Sequence, residues 1–329
     1  MTVDTRALRV PAPRGARHAD WLQRQSRVFV VWGLLAVLIT IGSIMSGTFR
    51  SEPVLVETLK GATFLGMASA AQFFVVVGGG IDLSVAGVAT ISGMAAAVIM
   101  NGQDGNIAYA LLATLGIGLA VGTINGLLVN VLNIAPFVAT FGMFYILQGV
   151  GYTWSVSPIG QAAPSFYDLY VDKWGRVPVI LVISGVFWFA CWYVARQSAF
   201  GRHLYAVGGD REAARLAGVR TAWVSIASYV ACSVVAALAG MLQLTQTSVA
   251  APDLGATLLL TTVTAVVIGG VSLFGGQGSV VGVLGGVFVL AFLNQLFDTV
   301  QVSALWQQLI QGLIILAVLG IYRQRRRAG

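Results

Sequence analysis

Charge is what this sequence has least of. Only 9% of its 329 residues are Asp, Glu, Lys or Arg, against about a quarter in soluble domains, so the chain lacks the polar surface that a water-facing fold needs. Lysine occurs twice, at Lys60 and Lys173, and neither sits in a G-x-x-x-x-G-K-[ST] phosphate loop. His18 and His203 lie in polar segments where no Cys, Asp or Glu completes a metal site. Cys191 and Cys232 fall in apolar runs without ligand spacing, which excludes a disulfide scaffold or zinc site and makes them core residues. No nucleophile–base pair stands out, so the chain does not read as an enzyme, and no cofactor or metal is expected. What is abundant is hydrophobic sequence, at 57%, together with 40 glycines. Disorder needs low hydrophobicity, whereas glycine in apolar sequence suits helices packed closely in lipid. The fold class expected is an all-α polytopic membrane protein.

A bilayer core takes about 20 apolar residues per helix. On that measure the chain divides into ten spans, at 28–46, 61–78, 83–100, 107–132, 135–155, 178–196, 221–247, 257–272, 279–297 and 303–322. The joint at 78–82 is a glycine-rich break, which has to be buried in protein or line a cavity. The net charge of +7 is explained by where the arginines lie. Arg6, Arg9, Arg14, Arg17, Arg24 and Arg27 precede the first span. Arg196, Arg202, Arg211, Arg215 and Arg220 separate the sixth and seventh, and Arg323, Arg325, Arg326 and Arg327 close the chain. Even numbers of spans separate the three clusters, so all fall on one side, the cytoplasmic one by the positive-inside rule. The charge is therefore topological and does not imply nucleic acid. The divisions expected are a cytoplasmic tail at 1–27, read as an uncleaved anchor, a transmembrane domain at 28–322 and a cytoplasmic tail at 323–329. The outside loop at 156–177 is rich in aromatic and charged residues. It suits an interfacial belt and equally a docking surface for an external protein.

Two segments resemble each other. Residues 75–84 read VVVGGGIDLS and 266–279 read VVIGGVSLFGGQGS, each followed by a Gly- and Ala-rich span. Both breaks face the same way in the ten-span map, so they read as a parallel internal repeat. Paired broken segments of this kind point to a translocation path.

The loop at 198–220 carries its own punctuation. Gly208 and Gly209 end one element, and Asp210 is a good N-cap for a short helix over 211–217. Glu212 and Arg215 match the two ends of its dipole, and Gly218 stands where a left-handed C-cap belongs. A helix this short is marginal alone, so its caps suit either a stable surface helix or a docking element for a cytoplasmic partner.

Four stretches in combination make the chain recognisable: GGGIDLSVAGVATISG (78–93), PFVATFGMFYILQGVGYTWSVSPI (136–159), GRHLYAVGGDREAARLAGV (201–219) and AVVIGGVSLFGGQGSVVGVLGG (265–286). Over about residues 55–322 it resembles the membrane permease subunit of bacterial ABC importers of the ribose/xylose/arabinose/galactose class. The resemblance implies a permease fold in which two copies form the path. Two cytoplasmic ATPase subunits drive it and an external solute-binding protein delivers the sugar. It also assigns ATPase coupling to Tyr205, Gly208, Gly209, Asp210, Glu212, Ala213, Ala214, Arg215 and Gly218. One departure concerns the solute. Related permeases carry an acidic, Tyr-Glu-Leu-like segment before the second glycine motif, where this chain has Gly255–Leu260 with Asp253 the nearest acid. A permease for branched-chain amino acids or another small polar solute, and an ion-coupled carrier, are the alternatives.

A neutral sugar needs hydrogen-bonding side chains in its path. Asp82, Ser84, Asn125, Thr140, Gln148, Gln243 and Asn294 are the candidates, each also suited to a helix–helix hydrogen bond. Asp82 and Ser84 fit equally a cap on the helix that follows Gly80.

Overall fold

The computed structural model describes the backbone of residues 14–303 and isolated positions up to Leu313, with side chains from Val28 onward. The far N-terminus, most of the tenth predicted span and the C-terminal tail lie outside the described residues. Between residues 14 and 303 the α-helices run in order: α1 Arg14–Met45, α2 Glu52–Val77, α3 Val85–Met100, α4 Ile107–Asn130, α5 Pro136–Trp154, α6 Pro164–Val171, α7 Val179–Gln197, α8 Ala199–Gly209, α9 Arg211–Leu216, α10 Thr221–Thr247, α11 Leu258–Ile268 and α12 Val280–Thr299. The strands β1 Lys173–Trp174 and β2 Val177–Pro178 form a small antiparallel hairpin.

Among the described residues, six helical segments are long and apolar enough to cross a membrane: Val28–Met45 of α1, all of α2, Asp104–Asn130 containing α4, and α7, α10 and α12. This is a polytopic helical membrane protein. Helix α3 has 16 residues and α11 has 11, shorter than the roughly 20 needed to span alone. Three boundaries differ from expectation by more than a few residues. Helix α1 begins at Arg14, fourteen residues before the predicted span and inside the expected 1–27 tail. Helix α2 begins nine residues before the predicted span, because Pro53 starts it well and Glu57 and Lys60 continue the helix while lowering its hydropathy. The predicted 257–272 span ends early, at Ile268, because Gly270 adopts a positive φ of 80° that terminates α11.

Helix α3 is the axis of the bundle. Every residue from Val85 to Ala97 is buried, and most are Ala, Gly, Ser, Thr or Val, so neighbouring helices approach it on all sides. Helix α10 packs against α2, α3 and α4. The α4–α10 contact is a glycine seam. A Cβ added to Gly118, Gly122 or Gly126 would lie 2.7, 2.6 and 3.0 Å from the Cα of Val234, Val230 and Ile226 respectively. The pairing runs in opposite directions along the two helices, so they are antiparallel. Small residues every fourth position let helix backbones touch, which is how helices associate where lipid offers no hydrophobic drive.

Candidate functional site

The two glycine breaks end their helices in the same way. After α2, Gly78, Gly79 and Gly80 donate to the carbonyls of Phe74, Val76 and Val75. After α11, Gly269, Gly270 and Val271 donate to those of Ala265, Val267 and Val266. Gly79 and Gly270 take matching positive φ values of 86° and 80°, open to glycine and costly to a residue with a Cβ. The same short sequence thus makes the same helix stop twice.

The α2 stop and the glycine loop that follows the α11 stop both meet the 198–220 segment. Gly276 donates its N–H to the Val77 carbonyl at 2.9 Å. A Cβ on Gly208 would overlap that same carbonyl and lie 2.7 Å from the Gly276 nitrogen. A Cβ on Gly275 would lie 2.7 Å from the Gly208 oxygen and 2.9 Å from the Gly79 Cα. Three chain segments far apart in sequence therefore cross backbone to backbone. From α8, Tyr205 adds a hydrogen bond from its hydroxyl to the Gly278 carbonyl at 2.9 Å, and Leu204 is buried against Gly78.

Helix α9 follows directly. Asp210 accepts from the N–H groups of Glu212 and Ala213, both at 3.0 Å. Val219 donates to Ala214 and Gly218 to Arg215, with Gly218 at φ 85°, so both ends close on local bonds. Arg215 pairs with Glu212 at 2.6 Å on the exposed face, and that bond raises the guanidinium pKa further above its usual value. Ala214 is buried, whereas Ala213, Leu216 and Gly218 face outward. Arg211 reaches Asn130 at the end of α4 at 3.0 Å.

Four of the expected path residues form one buried cluster beside this junction. Asp82 Oδ1 accepts from the Ser84 N–H at 2.8 Å and the Ser84 hydroxyl at 2.6 Å, and Ser84 Oγ accepts from the Asn125 amide at 2.8 Å. Thr140 accepts the Leu83 N–H at 3.0 Å. All four side chains are buried. The cluster ties the turn before α3 to α4 and α5, and Asp82 secures that turn through Ser84 instead of capping an N–H inside the helix. Gln148, Gln243 and Asn294 are half-buried on three different helices, α5, α10 and α12.

Comparison with known proteins decides what this architecture belongs to. Residues 54–319 match the family model described as branched-chain amino acid transport system / permease component. The chain belongs to that permease family. Its relatives include the Escherichia coli K12 ribose import permease RbsC, 33% identical over 90% of this chain and 92% of that protein. The Rhizobium meliloti fructose import permease FrcC is 31% identical over 88% and 82%. The Salmonella typhi autoinducer 2 import system permease LsrC is 29% identical over 91% and 86%. No solved structure matches.

At the end of the permease opposite the junction, separate loops lock onto the far end of α3. Gly102 donates to Gln161, Gln161 to Ala97 and Ala162 to Ser248, while Ile159 and Ala250 form an antiparallel bridge. Tyr170 of α6 hydrogen-bonds Glu57 of α2, and Lys60 lies 4.0 Å over the Tyr170 ring. Asp104 accepts from the Ser165 N–H at 3.0 Å and its hydroxyl at 2.7 Å.

Sequence reading missed the Gly118–Gly122–Gly126 seam, although the four-residue spacing was visible. It also missed that Gly275 and Gly276 touch Gly208, for which only the glycine composition was a signal.

Proposed function

We propose that this permease carries a small sugar or related polyol across the bacterial inner membrane, driven by ATP hydrolysed in partner subunits. The relatives named for ribose, fructose and autoinducer 2 import support the solute class. The observation that carries the mechanism is the backbone crossing of Gly208 with Gly79, Gly275 and Gly276. It gives a push on α8–α9 a direct route into the α2 stop and into the 275–276 loop that follows the α11 stop, with no flexible side chain between.

In this reading the 198–220 face is cytoplasmic, with both termini on that side of a ten-span domain at 28–322. Two ATPase subunits dock on α9, an external solute-binding protein docks on the opposite face, and two permease copies enclose the path. The matched helix stops favour a parallel duplication. The buried Asp82–Ser84–Asn125–Thr140 cluster suits a hinge that orders the turn, and Gln148, Gln243 and Asn294 suit the path.

Ala213→Trp tests the docking. The side chain is exposed on α9, so the bulky residue should abolish ATPase co-purification while leaving thermal stability unchanged. Full retention of the ATPase would remove α9 from the interface. In liposomes, uptake should require ATP, the ATPase and the binding protein. Uptake driven by an ion gradient with the permease alone would establish the ion-coupled alternative.

A further inference from the structure

After Ala250 the chain turns inward along α3. Leu254 seats over Gly93, where a Cβ would lie 2.5 Å from its Cδ2. Gly255 donates its N–H to Thr90 Oγ1 at 3.0 Å and lies so close to Ala86 that a Cβ would overlap the carbonyl. Between the level of Ala97 and that of Ala86–Thr90 the chain descends roughly 10–15 Å, at about 1.5 Å per helical residue of α3. It does so in turns, Leu254 bonding back to Ala251, Ala256 to Asp253 and Leu258 to Gly255. Only then does α11 begin. Its 11 residues rise about 16 Å to the glycine stop at Gly269, about half of a ~30 Å hydrocarbon core. Residues 251–257 are therefore irregular backbone at mid-membrane depth.

Backbone of this kind is tolerated only where it is buried or lines a water-filled cavity. Gly255 is buried against α3 and Pro252 is buried too, but Asp253, Ala256 and Thr257 are exposed. No hydrogen bond or ion pair reaches the Asp253 carboxylate among the described residues. A carboxylate at this depth cannot face lipid, so water has to reach it.

We propose that Asp253, Ala256 and Thr257 line the solute path, and that Asp253 is a specificity-determining residue. Ionised, its carboxylate only accepts hydrogen bonds, so it suits the paired hydroxyls of a neutral polyol and repels an anionic solute. This rests on the permease reading above and adds the position and sign of a contact within it.

The first test needs no transport, so it stands apart from failure of that reading. Both native cysteines are buried, giving a low background. Asp253→Cys and Thr257→Cys should react with a charged, membrane-impermeant thiosulfonate, whereas Val186→Cys, on the exposed apolar side of α7, should react only with a lipid-soluble maleimide. Reaction of Asp253→Cys with the maleimide alone, or with neither reagent, would overturn the proposal. In the reconstituted complex, Asp253→Asn should raise the KM for ribose roughly tenfold, the order expected for losing one charge-assisted hydrogen bond, and should narrow the discrimination against ribonate. An unchanged ribose-to-ribonate ratio would remove Asp253 from specificity even if the labelling succeeded.

Discussion

Gly208→Ala should abolish ATP-driven uptake, while Gly209→Ala, one residue on, should leave it near the wild-type rate. At Gly208 the new methyl would overlap the Val77 carbonyl and press on the Gly276 nitrogen; at Gly209 nothing lies within 4 Å. The atoms struck at 208 are backbone and cannot rotate aside, so α8 has to move off the end of α2 and the 275–276 loop. The hydrogen bond from Gly276 to Val77 then lengthens or breaks. Overpacking of this kind costs about 1–3 kcal/mol, and the loss of register should cost more in function than in stability. Uptake and ATPase rates in proteoliposomes, with melting temperatures in detergent, measure both. Wild-type uptake by Gly208→Ala would show that the three segments need not move together.

Gly122→Leu should have the largest effect on folding. Its Cβ would lie 2.6 Å from the Val230 Cα and 3.0 Å from the Ser233 Cβ, so α4 and α10 could not keep their separation. Loss of that seam also strands Asn125, whose amide bonds Ser84, and should remove most of the correctly folded protein from the membrane fraction. Gly116→Ala is the control on the same helix. Nothing lies within 4 Å there, and alanine in place of a helical glycine is worth up to about 1 kcal/mol. A normal yield of monodisperse protein from Gly122→Leu would mean that the seam can open without cost.

What was legible in the sequence follows from the range of each interaction. The bounds of α4, α7, α10 and α12 could be read because hydropathy sums over a whole span. Helix α9 could be read because its caps, Asp210 and Gly218, act within a few residues. The break between the spans at 221–247 and 257–272 could be read, but not the course of 251–257 along α3, because the contacts of Leu254 with Gly93 and of Gly255 with Thr90 join residues far apart in sequence. The meeting of Gly79, Gly208 and Gly275 was beyond local reading, since glycine announces a close approach without naming what approaches. The buried cluster was half legible. Polar residue types inside apolar sequence singled out Asp82, Ser84, Asn125 and Thr140, and the structure joins them in one buried cluster, but pattern alone could not tell a path from a knot of helix contacts.

The antiparallel seam between α4 and α10 also constrains how the molecule is made. Helix α4 leaves the ribosome roughly 100 residues before its partner, which at about 5–20 residues per second means roughly 5–20 seconds. For that interval Gly118, Gly122 and Gly126 have no Val230 or Val234 to close on. The small side chains of α3 likewise lack α10, one of the walls that bury them. The first half of the chain therefore cannot complete its packing as it emerges. Its maturation waits for the second half, and a product truncated before Thr221 would persist as an open bundle, exposed to membrane quality control.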